Sequence, residues 1–122
     1  RHDRAREEAA REIFERQHPG DCAQAKVLVY SFENSYAGFG AEIHGLVLAF
    51  NLAWSLNRTL VMPRSDSWWY ANPKKCPEMG MACYFEPISS CSVEQTNPAN
   101  RLPYDHAQSI SVRGYTPPFI PA

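Results

Sequence analysis

Between residues 26 and 63 the apolar positions change period twice. Lys26-Val27-Leu28-Val29-Tyr30-Ser31-Phe32 is a mostly apolar, β-branched run of strand length. Ile43, Leu46, Val47, Phe50, Ala53 and Trp54 then recur at helical spacing, which predicts a helix from about Ala41 to Leu56. Leu48, Ala49, Leu52 and Leu56 widen its apolar face until most sides must be covered. Asn57 suits the left-handed angle that closes a helix, and Arg58 suits the negative end of its dipole. Thr59-Leu60-Val61-Met62-Pro63 follows as a short second strand. Strand, helix and strand in succession form a βαβ unit, whose right-handed crossover requires a parallel pair. The fold class predicted is α/β, the opening of a Rossmann-like sheet.

The flanks carry weaker patterns. From Asp3 to Gln17 the chain is rich in Arg, Glu and Ala, with Glu7/Arg11 and Glu12/Arg16 in the favourable order and a thin stripe of Ala5, Ala9 and Ile13. This predicts a solvated helix without chemistry of its own, packing lightly or continuing a longer stem. His18-Pro19-Gly20-Asp21 ends it in a turn. Beyond Pro63 the chain reads as loop-rich, with a polar loop from Ser92 to Arg101, a brief third strand at Ser109-Ile110-Ser111-Val112 and an extended Pro-rich end.

Composition narrows the class. With 122 residues, 44% of them hydrophobic, the chain can bury one modest core. A net charge of -1 and scattered basic residues leave no stripe to follow a nucleic-acid backbone. No apolar run approaches bilayer-spanning length. Arg1-His2-Asp3 at one end and Pro117-Pro118-Phe119-Ile120-Pro121-Ala122 at the other read as the limits of a piece of a longer chain. Cys22, Cys76, Cys83 and Cys91 permit three pairings, and none stands in a C-x-x-C spacing. Disulfides are favoured over a zinc site, which places the chain in the secretory route.

Chemistry is suggested at the start of the central helix. Gly38-Phe39-Gly40 lies between the tip of a buried strand and a helix, where backbone N–H groups and the positive helix end can face a phosphate. The competing reading is a tight turn that lets helix pack on strand. The full dinucleotide fingerprint is missing, because Ile43 fills the third glycine position and no acidic residue follows at the expected distance. Glu42 and His44 occupy the first turn, where the dipole favours negative charge. Either they hydrogen-bond a ligand, or Glu42 caps backbone donors while His44 is a satisfied core residue. Trp68, Trp69 and Tyr70 follow the second strand at the carboxyl edge of the sheet, with ring faces suited to a base or a sugar, although such rings also close small cores. Asn57-Arg58-Thr59 matches the N-glycosylation pattern at a cramped helix-to-strand junction.

Taken in order, several stretches resemble the eukaryotic α1,6-fucosyltransferases that act on the core of N-glycans. They are Pro19-Gly20-Asp21-Cys22, Gly38-Phe39-Gly40-Ala41-Glu42-Ile43-His44, Arg58-Thr59-Leu60, Ser65-Asp66-Ser67-Trp68-Trp69-Tyr70-Ala71, Phe85-Glu86-Pro87-Ile88-Ser89-Ser90-Cys91 and Pro117-Pro118-Phe119-Ile120-Pro121. Each motif alone is weak, and the ordered series is specific. The resemblance implies a Rossmann-like N-terminal half of a GT-B-type glycosyltransferase, with residues 1–18 ending a helical stem and residues 19–122 beginning the catalytic α/β domain. It implies inverting transfer of fucose from GDP-fucose to the innermost GlcNAc without a metal, in the Golgi lumen, with a membrane anchor upstream and a homodimer through the stem.

Carried over residue by residue, the resemblance sets Gly38, Phe39, Gly40, Ala41 and Tyr70 against the nucleotide, with Glu42 and His44 on the same GDP-sugar side. It pairs Cys22 with Cys91. The stretch from Asn72 to Cys83 is longer than the family's, and Cys76 with Cys83 reads as an added staple. Glu42 stands where the family commonly has Gln, which brings negative charge toward the diphosphate. The donor-binding arginine and the catalytic carboxylate belong to the following domain, so no catalytic residue is expected in this chain and it is expected to be inactive alone. The rival expectation is a non-catalytic glycan- or nucleotide-binding module of the same fold.

Overall fold

A computed structural model describes residues 2–32, 38–64, 68, 70, 74–76 and 83–104. Helix α1 spans His2–Gln17, strand β1 Val27–Val29, helix α2 Phe39–Ser55, strand β2 Thr59–Val61 and strand β3 Arg101–Pro103. Two single-turn 3₁₀ helices, Val93–Gln95 and Pro98–Asn100, precede β3. The three strands form one parallel sheet in the order β2-β1-β3. Leu28 stands in register with Leu60 on one side and Leu102 on the other.

The central strand is covered on both faces, as a parallel sheet requires. Leu28, Tyr30, Phe32 and Leu60 pack with Ala49, Leu52, Ala53 and Trp68 on the side of α2. Val27 and Val61 pack with Cys91 on the opposite side, and Cys22 lies against them. Cys22 and Cys91 are joined by a disulfide, and a second bridge joins Cys76 to Cys83. The first closes a span of 69 residues. By the chain-entropy argument such a bridge contributes about 4 kcal/mol.

The close of α2 follows from Asn57, which takes a φ of 55°. With it in the left-handed region, Arg58 N–H reaches the Ala53 carbonyl at 2.8 Å and Asn57 N–H the Trp54 carbonyl at 3.1 Å. These are the paired bonds of a Schellman ending. The Arg58 side chain departs from its expected place at the helix end. Its Nη1 donates instead to the carbonyls of Val27 and Asn100, tying the start of β1 to the turn before β3.

The strands are shorter than the apolar runs that announced them. Val93 N–H donates to the Met62 carbonyl from outside the sheet, and Pro63 has no N–H, so β2 stops at Val61. The segment from Ser92 to Arg101, read as polar loop, holds both 3₁₀ turns and the start of β3. Side-chain bonds shape it. The Arg101 guanidinium donates to Thr96 Oγ1, the Thr96 carbonyl and the Val93 carbonyl at 2.7, 2.7 and 2.8 Å. The strand expected at Ser109–Val112 lies outside the described residues.

Most of α1 is exposed, but its last turn is built into the fold. Gln17 is buried, its Nε2 donating to the carbonyls of Leu60 and Ile88 and its Oε1 accepting from Leu60 N–H. Arg16 lies 3.9 Å from the centre of the Trp54 ring and donates to the Trp54 carbonyl. The thin apolar stripe gave no sign of this polar docking.

Candidate functional site

Strand order reverses between β1 and β3, and in open parallel sheets ligands bind beyond the carboxyl ends of strands at such a point. The chain leaving β1 returns at Gly38 to begin α2 on this edge. Gly38 is the N-cap, in an extended conformation and with no side-chain cap hydrogen bond. Phe39 and Gly40 therefore belong to the first helical turn, two residues ahead of the start that periodicity gave. The first intrahelical bond runs from Glu42 N–H to the Gly38 carbonyl. The N–H groups of Phe39, Gly40 and Ala41 precede it and have no acceptor within the helix.

Gly38, Phe39, Gly40 and Ala41 are all exposed. A Cβ added at Gly38 or Gly40 would meet nothing within 4 Å, and neither residue needs a left-handed backbone. Internal packing therefore does not account for these glycines, and the space above them is open to a ligand. Gly45 differs. A Cβ there would stand 2.9 Å from the Tyr30 hydroxyl, so this glycine lets α2 close on the end of β1.

Phe39 and Tyr70, 31 positions apart in sequence, meet edge to face with ring centroids 5.4 Å apart. Trp68 lies between them and the core, at 2% exposure. It stacks on Phe32 at 4.2 Å and contacts Phe39 at 5.5 Å and Tyr70 at 5.7 Å. Trp68 thus closes the core, while Phe39, 39% exposed, presents part of its ring to solvent. Trp69 lies outside the described residues.

Glu42 and His44 are not brought together. Two residues apart on a helix, they point about 200° apart around the axis. Glu42 is buried at 2% exposure, and His44 is exposed. The reading of His44 as a core residue is corrected on that ground. Among the described residues no group of three His, Cys, Asp or Glu side chains stands close enough to hold a metal ion, and no helix is long and apolar enough to cross a membrane.

Two rings at this edge escaped sequence reasoning. Tyr104, just past β3, donates its N–H to the Val29 carbonyl and meets the buried Tyr30 ring at 5.3 Å, at the switch point itself. Tyr84 reaches the aromatic cluster from beyond the second disulfide. Only a third-strand assignment at residue 101 would have placed Tyr104, and no local pattern carried it. At the far end of α2, Thr59 of the glycosylation pattern is buried, its hydroxyl bonded to the Arg16 carbonyl at 2.7 Å.

Residues 1–113 match the family model for the alpha-(1,6)-fucosyltransferase N- and catalytic domains. The chain belongs to the alpha-(1,6)-fucosyltransferase family. An alpha-(1,6)-fucosyltransferase of Drosophila melanogaster is similar to it, at 31% identity over 80 residues. That match takes in 66% of this chain and 12% of the fly protein, so the chain spans a small part of its relative. As an alpha-(1,6)-fucosyltransferase family member, the chain matches the family's N- and catalytic domains over nearly its whole length.

Proposed function

We propose that this chain forms one wall of a cleft in which fucose passes from GDP-fucose to the innermost GlcNAc of an N-glycan in α1,6 linkage. The observation that carries the reading is the meeting of Phe39 and Tyr70 beside the uncapped start of α2. A planar ring fits against the aromatic edge, and a diphosphate fits against free N–H groups and the positive helix end. Gly38, Phe39, Gly40, Ala41 and Tyr70 form this GDP-sugar surface. Glu42 acts on it from a buried position, and His44 flanks it.

In this reading the parallel sheet is the Rossmann-like part of the N-terminal half of a GT-B enzyme. Residues 1–18 end its stem, residues 19–122 open its catalytic domain, and a dimer forms through the stem in the complete chain. The remaining domain supplies cationic groups for the diphosphate and the catalytic carboxylate, without a metal, so this chain alone does not turn over. Two disulfides fit an oxidising lumen, that of the Golgi, with the anchor upstream.

The test is to incubate the complete natural polypeptide with GDP-fucose and a GlcNAc-terminated N-glycopeptide, then read the product by mass and fragment ions. One added fucose on the innermost GlcNAc is expected. Failure of transfer together with failure to bind GDP would sink the reading. Burial of Glu42 in the first turn favours one alternative, a binding module that kept the fold and lost turnover. Tight GDP binding without transfer would support that alternative.

A further inference from the structure

Tyr84 is an exposed residue with several directional contacts. The residue is 54% exposed, so burial holds it less than it holds the core rings. Nonetheless it meets Phe39 edge-on at 5.8 Å and Trp68 at 5.8 Å, and its hydroxyl donates to the carbonyl of Tyr70. The residue before it, Cys83, is bridged to Cys76 and packs against the core cluster. A covalent loop closure, two ring contacts and one hydrogen bond thus act on one side chain outside any regular element. All three noncovalent contacts end on Phe39, Trp68 or Tyr70.

We propose that Tyr84, fixed by the Cys76–Cys83 bridge, is a positioning residue for the nucleotide-sugar wall formed by Phe39 and Tyr70. This rests on the donor reading above. The Tyr84 ring, nearly perpendicular to Phe39, limits how far the half-exposed Phe39 ring can turn. Its hydroxyl fixes the Tyr70 backbone, so the two rings are set before the ligand arrives and less ordering is lost on binding. Without the bridge the Tyr84 backbone gains freedom, and both restraints weaken together.

The test uses the complete natural polypeptide and GDP as the probe, with calorimetric Kd values for wild type, Tyr84→Ala, Tyr84→Phe and the double variant Cys76→Ser/Cys83→Ser. Loss of the ring and its hydrogen bond in Tyr84→Ala is expected to weaken GDP binding by about tenfold. Tyr84→Phe keeps the ring and is expected to lose about threefold. The double cysteine variant should match Tyr84→Ala. In steady state the KM for the donor should rise while the KM for the acceptor glycopeptide stays constant, a split that a general loss of fold would not produce.

Wild-type GDP affinity in both Tyr84→Ala and Tyr84→Phe, with near-UV circular dichroism reporting the altered cluster, overturns the proposal and leaves the donor reading standing. A wild-type protein that binds no GDP overturns both. Should Tyr84→Ala fail to fold, Tyr84→Phe decides, and an unchanged donor KM in it counts against the proposal.

Discussion

Phe39, in the first turn of α2, meets Tyr70, beyond β2, at a ring-centroid distance of 5.4 Å. One ring arrives on a helix and the other on a loop, and both stand over the buried Trp68. The contact sets an aromatic face beside the uncapped N–H groups of α2, and the proposed GDP-sugar surface is built on that pairing.

Gly40 separates stability from binding. Its place inside the helix and the empty space above it mean that Gly40→Ala should stabilise the fold by up to about 1 kcal/mol. If a diphosphate approaches this backbone, the same methyl group obstructs it. Thermal melting should move up while GDP affinity, measured by calorimetry on the complete polypeptide, falls. A gain in both would remove Gly40 from the site.

Glu42→Gln replaces a buried carboxylate by an amide of nearly the same shape. With one negative charge fewer in the first turn, GDP binding should strengthen, by about three- to tenfold for a partly screened charge pair. Unchanged affinity at low and high salt would show that this carboxylate does not act on the diphosphate.

Gln17 supports the sheet from outside it. Gln17→Leu keeps much of the volume but removes the groups that bond the Leu60 N–H, the Leu60 carbonyl and the Ile88 carbonyl. Leaving such buried backbone groups unsatisfied should cost about 2–4 kcal/mol, read from denaturant unfolding. A loss within experimental error would mean that water replaces the side chain at no cost.

Gly45→Ala places a methyl group 2.9 Å from the Tyr30 hydroxyl, closer than such a contact allows. The buried Tyr30 ring is packed on Phe32 and Tyr104 and cannot swing freely, so destabilisation of about 1–3 kcal/mol is expected. Combining it with Tyr30→Phe, which removes the hydroxyl, should restore part of the loss. Strict additivity of the two changes would contradict the steric account.

The central βαβ unit was legible because its signals are local: a β-branched run, strict helical spacing over six apolar residues, and Asn57 at a left-handed position. The exact start of α2 was less so, since Gly38-Phe39-Gly40 carries poor helix propensity and Phe39 is held by rings distant in sequence. Strand β3 was missed for a related reason. Arg101-Leu102-Pro103 has no strand pattern, and its guanidinium bonds to Val93 and Thr96 set its approach to β1. At the site, Phe39 and Tyr70 were read as candidates, but their meeting was not, because ring contacts across 31 positions leave no periodic trace. The docking of Gln17 was hidden in the same way. A polar residue at the end of a charged helix gives no warning that it will complete a neighbouring strand's hydrogen bonds.

The most direct test of the account is amide hydrogen exchange of the complete natural polypeptide with and without saturating GDP. Slowed exchange is expected in peptides covering Gly38 to His44 and in the peptide containing Tyr70, with little change along the exposed part of α1. GDP binding with neither of the first two regions protected would contradict it.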